Sequence, residues 1–362
     1  MIKTKFKRIF SAFICTVVTV TFTVTAYAES EQDGFLYRFI DNSNVIEISG
    51  ISPGGKLADA PKIEIPYSIR GVSVIQIGNS VFADNDTAQE IRMTENILQI
   101  CDESMYGMKS LKNITLPKHL SVLGKKAFSY CTSLESVNFE TTELRTIQEF
   151  TFYGCTKLNN VVLSSSVLEL DEHCFGHCMS LDKIYIPSSV TKIDQTAFYS
   201  TKSGLTVYGY TDSEAQRYAL KNNLGFVDMS KKDFNGLYRS ISSAEYLRSR
   251  MNVFRYTEES VDAFTAAYNN AVEVKQNFFS TPDEVKNAVQ SLNDSISGLQ
   301  ELMKYDINND GSITLSDVVI MQKRLINNYS YSPRETYIAD RNGDGAVSLA
   351  DIILLQRYLL RV

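Results

Sequence analysis

Six large apolar residues recur at an almost constant interval, and that interval decides what the middle of the chain can become. Phe82, Met105, Phe128, Phe152, Phe175 and Phe198 are separated by 23, 23, 24, 23 and 23 residues. Other columns travel with these anchors. Eight residues before each stand Val74, Ile97, Leu120, Leu144, Val167 and Val190, and five before stand Ile77, Ile100, Leu123, Ile147, Leu170 and Ile193. Six after stand Ala88, Leu111, Leu134, Leu158, Leu181 and Gly204, and nine after stand Ile91, Ile114, Val137, Val161, Ile184 and Val207. A period near 23 with aliphatic residues at fixed offsets predicts a leucine-rich-repeat solenoid of short β-strands and turns. One coil cannot bury its own apolar face, whereas stacked coils make the columns continuous and close the core.

The stretch Leu144-Arg-Thr-Ile-Gln-Glu-Phe-Thr-Phe-Tyr-Gly-Cys155 and its counterpart Val190-Thr-Lys-Ile-Asp-Gln-Thr-Ala-Phe198 resemble the BspA-like leucine-rich repeats of bacterial surface proteins. The resemblance extends to an N-terminal cap near residues 35–70. It also covers a C-terminal cap, Tyr208-Gly-Tyr-Thr-Asp-Ser-Glu-Ala-Gln-Arg-Tyr-Ala219 followed by Phe226, so the solenoid is expected over 35–228. The first unit departs most, with Asn85 and Ala88 where later units carry Cys and Leu, as terminal repeats do.

The repeat also accounts for the cysteines. Cys131, Cys155 and Cys178 stand three after the anchor, where Met108 and Thr201 also stand, and Cys174 stands one before it, like Ala127, Thr151 and Ala197. These are small inward positions, so buried free thiols are expected. With Cys101 they leave an odd count beyond Cys15, which a disulfide framework would not favour. His173, Cys174, His177 and Cys178 are metal-type residues, but the repeat already explains each cysteine among them. The outward strand positions form a polar ladder: Glu90, Asn113, Ser136, Asn160, Lys183 and Thr206, then Arg92, Thr115, Asn138, Val162, Tyr185 and Tyr208. It turns aromatic at its end, where Tyr185, Tyr208 and Tyr210 are expected to share an exposed face, either a plain solvated sheet surface or a contact surface for a protein or glycan.

The N-terminus reads as an address. Lys3, Lys5, Lys7 and Arg8 precede an uncharged, largely apolar stretch, and Ala26-Tyr27-Ala28 offers a cleavage site, the pattern of a secretory signal peptide over 1–28; the other reading is an uncleaved membrane anchor, against which the interspersed Thr residues and the Ala-x-Ala speak. Losing its four basic residues takes the formal charge from −6 to −10. That balance argues against nucleic acid, whose phosphates need a clustered basic surface. No second apolar span follows, so no membrane association is expected after cleavage.

Helical spacing follows the solenoid. Tyr246, Leu247, Met251 and Phe254 show it, as do Val261, Phe264, Tyr268 and Val272, and then Val285, Val289, Leu292, Ile296 and Leu299. Thr281-Pro282-Asp283-Glu284 reads as a helix start, with Thr as N-cap, Pro at N1 and acids against the positive end. A small three-helix bundle is expected over 239–302. The run Tyr256-Thr-Glu-Glu-Ser-Val-Asp-Ala-Phe264 resembles the FIVAR-type modules of Gram-positive surface proteins, which implies a spacer.

The strongest motif lies at the C-terminus. Asp306, Asn308, Asp310, Ser312, Thr314 and Asp317 occupy positions 1, 3, 5, 7, 9 and 12 of a calcium loop, and Asp340, Asn342, Asp344, Ala346, Ser348 and Asp351 repeat it 34 residues later. Calcium is a hard cation that takes six to eight oxygens, and position 7 offers a backbone carbonyl, so Ser312 and Ala346 serve equally. Gly311 and Gly345 at position 6 permit the sharp turn, and two Ca2+ ions are expected. Asp at position 12 opens the following helix, where its charge also suits the dipole. No helix-forming run of EF-hand type precedes either loop, so each unit is expected to be loop then helix.

Residues 303–362 thereby resemble a type I dockerin, the module that plugs cellulosomal proteins into cohesins on a scaffoldin. The resemblance implies cohesin contacts at Leu315, Ser316, Gln322 and Lys323 and at their counterparts Leu349, Ala350, Gln356 and Arg357. The fold class expected is thus multidomain: solenoid, three-helix bundle, and an α-helical dockerin. Three functions compete: a non-catalytic cohesin-docked protein displaying a binding surface, a dockerin-borne glycoside hydrolase, and a cell-surface adhesin. A glycosidase needs two opposed carboxylates in a cleft; the inward columns are apolar and carry no such pair. The expectation is therefore a secreted, non-enzymatic protein of a Gram-positive cellulosome.

Overall fold

A computed structural model describes residues 30–40, 44–139 and 142–360. The expected signal segment 1–28 and the last two residues of the expected dockerin, 361–362, lie outside them. Among the described residues no helix is long and apolar enough to cross a membrane. The chain is a β-solenoid of about 7 turns followed by helices. It divides into two compact units: the first holds the coils through Leu158 with Asp171–Met179 and Thr196–Tyr199, and the second holds Asn159–Leu170, Ser180–Gln195 and everything from Ser200.

The first unit opens with an antiparallel cap of Ser30–Gln32, Phe35–Phe39 and Val45–Ile51, and the last of these pairs in parallel with Val72–Ile77. The coils then repeat two short strands. One row runs Lys62–Glu64, Glu90–Arg92, Asn113–Thr115 and Ser136–Asn138, each paired in parallel with the next. The register Ser136↔Asn113 and Val137↔Ile114 is the sequence period itself. Alternation points Ile91, Ile114 and Val137 inward and leaves their neighbours in the row half-buried or exposed. The anchors stack: Phe128–Phe152, Phe152–Phe175 and Phe175–Phe198 have ring centroids 5.4, 5.4 and 5.6 Å apart and lie within 7° of parallel.

The five cysteines among the described residues are free thiols, and Cys131, Cys155, Cys174 and Cys178 are buried. Cys131, Cys155 and Cys178 donate S–H hydrogen bonds of 3.1, 3.1 and 3.2 Å to the carbonyls of Met105, Phe128 and Phe152, the anchors of the preceding coils. Burial pushes the Cys131 thiol up to about 12 and raises those of Cys155, Cys174 and Cys178 as well.

In the second unit the strand row is Asn160–Val162, Lys183–Tyr185, Thr206–Gly209 and Gly225–Asp228, again parallel. The expected core position Gly204 is not core. It turns at φ +93°, and the next residue, Leu205, fills the column at 0% exposure. Helix α1 (Glu214–Lys221), capped by Ser213, closes this end.

Helices α2 (Phe234–Arg250), α3 (Glu258–Gln276) and α4 (Pro282–Ser297) form the bundle, with Leu237, Ile241, Phe264, Val285 and Leu292 at its centre. The first of them differs from expectation. It begins at Phe234, before the expected boundary of 239, because Asp233 accepts from the Gly236 N–H as N-cap. Its buried face is Leu237, Ile241 and Ala244, so Tyr246 is exposed rather than core; Phe254 lies beyond the helix, in the turn Val253–Arg255, and is exposed too. Thr281 and Glu284 make the expected N-terminus as a reciprocal capping box.

Candidate functional site

Residues 303–360 carry α5 (Leu315–Ile326), α6 (Pro333–Ala339) and α7 (Leu349–Leu360) around a small core of Val318, Met321, Ala339, Ile352 and Leu355. Helix α6 corrects the expectation that no helix precedes either loop. Seven residues are too few for a readable period; the signal was Ser332-Pro333 with Glu335, a capping box with Pro at N1.

Each loop is built by its own carboxylates. Asp306 accepts from the Asp310 and Gly311 N–H groups at 3.1 and 2.8 Å, and Asp340 accepts from Gly343 and Gly345 at 2.6 and 2.9 Å. Positions 4 and 6 are left-handed in both loops: Asn309 and Gly311 at φ +55° and +84°, Gly343 and Gly345 at +78° and +87°. Asp317, fully buried at N3 of α5, accepts from Ile307 at 2.7 Å and from Thr314 at 2.8 Å. Asp351 does the same on α7, accepting from Arg341 and Ser348, both at 2.8 Å. Burial alone would raise the Asp351 carboxyl, but the N–H groups of Ser348, Asn342 and Arg341 outweigh it and hold the carboxyl below its usual range.

Among the described residues no three His, Cys, Asp or Glu side chains gather into one metal-ligand group. The loops draw on a different donor set: carboxylates together with Asn308 or Asn342 amide, Thr314 or Ser348 hydroxyl, and position-7 carbonyl oxygens. That mixture of hard oxygens is what calcium takes, and none of these aspartates is tied to a Lys or Arg among the described residues. Position 12 ties its helix to its loop in both halves.

The two helices match in exposure as well as in sequence. At an offset of 34, Leu315 and Leu349 are 64% and 59% exposed, while Asp317, Val318 and Met321 are buried like Asp351, Ile352 and Leu355. Ser316, Lys323, Ala350 and Arg357 are exposed, and Gln322 and Gln356 are half-buried. Val319 and Ile353 are exposed one turn beyond Leu315 and Leu349 and extend each apolar stripe.

The tyrosine face corrects a second expectation. Tyr208 is only 3% exposed, and Tyr185 is half-buried rather than free. The α3–α4 turn covers them: Phe279 packs on Tyr208 at 5.0 Å and Phe278 on Tyr185 at 4.9 Å. Only Tyr210 remains exposed. Lys232 completes this junction, its ammonium 5.8, 5.3 and 5.6 Å from the Tyr208, Phe234 and Phe278 rings and donating to the Phe278 carbonyl at 2.8 Å.

Coiled repeat and paired loop–helix halves together define a modular binding protein: a leucine-rich-repeat solenoid carried on a docking module. The comparisons agree. The chain carries six copies of the BspA type leucine rich repeat region over residues 75–204 and a dockerin type I domain over 304–360. Type I dockerin implies docking to a scaffoldin cohesin and calcium binding, and the repeats suggest a protein-interaction surface. No curated protein matches the chain. Among solved structures it is similar to a leucine rich cell surface protein of Faecalibacterium prausnitzii, at 20% identity, TM-score 0.43 and 51% of each chain. It is also similar to the leucine rich repeat protein of T. pallidum (18% identity, TM-score 0.42, 54% of this chain and 95% of that one). A third is a leucine-rich repeat protein of Eubacterium ventriosum (21% identity, TM-score 0.40, 48% of this chain and 50% of that one). The chain thus spans about half the length of the first and third.

Proposed function

We propose that this is a secreted, non-catalytic component of a Gram-positive cellulosome. It docks to a cohesin through residues 303–362 and displays the solenoid, 35–228, to a protein or glycan ligand, with the bundle of 239–302 as spacer. Residues 1–28 act as the signal peptide. Two calcium ions would be held, one by Asp306, Asn308, Asp310, Ser312, Thr314 and Asp317 and one by Asp340, Asn342, Asp344, Ala346, Ser348 and Asp351. The metal supplies charge that lets the clustered carboxylates coexist; the chain's own contribution is to fix both helices to their loops through Asp317 and Asp351.

The observation that carries this reading is the matched exposure of the two helices. Leu315, Ser316, Gln322 and Lys323 present nearly the same surface as Leu349, Ala350, Gln356 and Arg357, so a turn of about 180° offers a cohesin an equivalent face. Calorimetry with a cohesin tests it. Lys323→Ala and Arg357→Ala should each bind within a few-fold of wild type, because the other half takes over, and the double variant should lose binding severely. Loss of binding in one single variant alone would reject the two-faced reading. Release of reducing sugar from glucans, xylan or pectin above blank would reject the non-catalytic part.

A further inference from the structure

From Met105 onward, the two columns that follow each anchor carry a pattern that the strand face does not. Coil by coil they read Tyr106-Gly107, Ser129-Tyr130, Tyr153-Gly154, Gly176-His177 and Tyr199-Ser200. A ring steps from the first column to the second and back, always beside Gly or Ser. In space the rings form one chain: Tyr106–Tyr130 at 5.6 Å, Tyr130–Tyr153 at 5.5 Å, Tyr153–His177 at 5.0 Å and His177–Tyr199 at 5.6 Å, each pair edge to face. The small residues are the seats. A Cβ at Gly154 would lie 2.9 Å from the Tyr130 ring, and one at Gly176 would lie 2.9 Å from that of Tyr153. Tyr130 and Tyr199 are 43% and 58% exposed.

The second column is left-handed at Asp84, Gly107, Tyr130, Gly154, His177 and Ser200. Glycine takes that conformation freely, as at Gly107 and Gly154, whereas Tyr130 at φ +60° and His177 at φ +56° pay conformational energy to hold a ring there.

We propose that this aromatic track binds a neutral β-1,4-linked polysaccharide. The proposal deepens the display reading above, naming a ligand class and a face for it. Two coils advance roughly 9.5 Å at the usual strand spacing. Successive sugars of an extended β-1,4 chain are turned over, so that chain repeats every two rings, a length close to this advance. An extended peptide repeats every two residues, about 6.7 Å, and falls out of step with the track. Tyrosine rings meet the apolar faces of pyranose rings, and the Tyr199 hydroxyl and the His177 imidazole serve the sugar hydroxyls. Two of the nearby charge pairs are closed on themselves, Lys125 with Glu149 at 2.9 Å and Lys126 with Glu103 at 3.0 Å, and the rings of the track are mainly uncharged phenols.

The test is calorimetry of the full mature chain, calcium-loaded, with cello-oligosaccharides of two to eight sugars and with malto-oligosaccharides. Affinity should rise with β-1,4 chain length and be at least tenfold lower for α-1,4 chains. Tyr153→Ala should weaken the longest chain at least tenfold, and so should Tyr199→Ala, which changes an exposed ring and should keep the wild-type melting curve. No heat with cellulosic, xylan or mannan chains at millimolar concentration would overturn the proposal. So would equal affinity for α-1,4 chains, or undiminished binding in Tyr199→Ala. Cohesin binding measured on the same sample separates the two readings: a preparation that docks but ignores the glycans rejects the track alone.

Discussion

Phe152 shows how much one side chain can matter in a stacked core. It is fully buried, lies between the parallel rings of Phe128 and Phe175, and takes the edge of Phe139 at 5.5 Å. Neighbouring coils cannot collapse into the space it leaves without breaking their own register. Phe152→Ala should therefore cost about 3–5 kcal/mol, read as a lowered unfolding midpoint in denaturant; an unchanged midpoint would contradict the stacked column. At this scale the sequence was highly legible, because the period repeats each environment six times and the cysteines could be placed by analogy with Ala127 or Met108. It was less legible where a coil broke the rule. Gly204 occupies the expected column, but its neighbour Leu205 fills the core, a one-residue slip that no average over coils reveals.

Between elements, the junction of Thr206–Gly209 with the α3–α4 turn is where local reading failed. Nothing near Tyr208 announces that Phe279, far along the chain, will cover it, so alternation alone marked it as outward. Lys232 makes this junction sensitive to pH. Burial pushes its ammonium down to about 8, below the ordinary value of about 10.4. The unfolded chain then binds more protons than the folded one between those values, so the lysine's contribution grows more favourable as pH rises from about 8 to about 10.4. Lys232→Met should remove that slope. The measurement is the stability difference between wild type and variant at pH 7.5 and pH 10; a difference independent of pH would exclude the role. The helix α2 face was misread for a related reason. Tyr246 keeps helical spacing with Leu247 and Met251, but its ring lies under the Arg250 guanidinium, 4.5 Å away, and stays in solvent.

For the molecule as a whole, chelation should dissociate two kinds of stability. The solenoid and bundle owe theirs to apolar cores, whereas the core of residues 303–360 is small and its loops concentrate acids. An ion at ~1,000 times its dissociation constant contributes about 4 kcal/mol per site, a large share of what so small a module can have. Adding EDTA should thus melt the C-terminal module first. Because Arg334 on α6 pairs with Glu258 of α3 at 2.9 Å, the bundle should lose some stability with it. Calorimetric scans with and without chelator check this: one low-temperature transition should appear while the solenoid transition stays in place. A scan unaffected by EDTA would mean that the loops hold no metal that matters to folding.

The alternating rings also constrain how such a chain can evolve. A coil is a natural unit of duplication, since it touches only its neighbours and its copy inherits the same columns. Yet the seats and rings of the track alternate with a period of two. Inserting a single coil would set ring against ring and Gly against Gly, breaking the checkerboard at the insertion, whereas inserting two leaves it intact. Selection on the track should therefore count coils in pairs, and lineages that keep it should differ in length by even numbers.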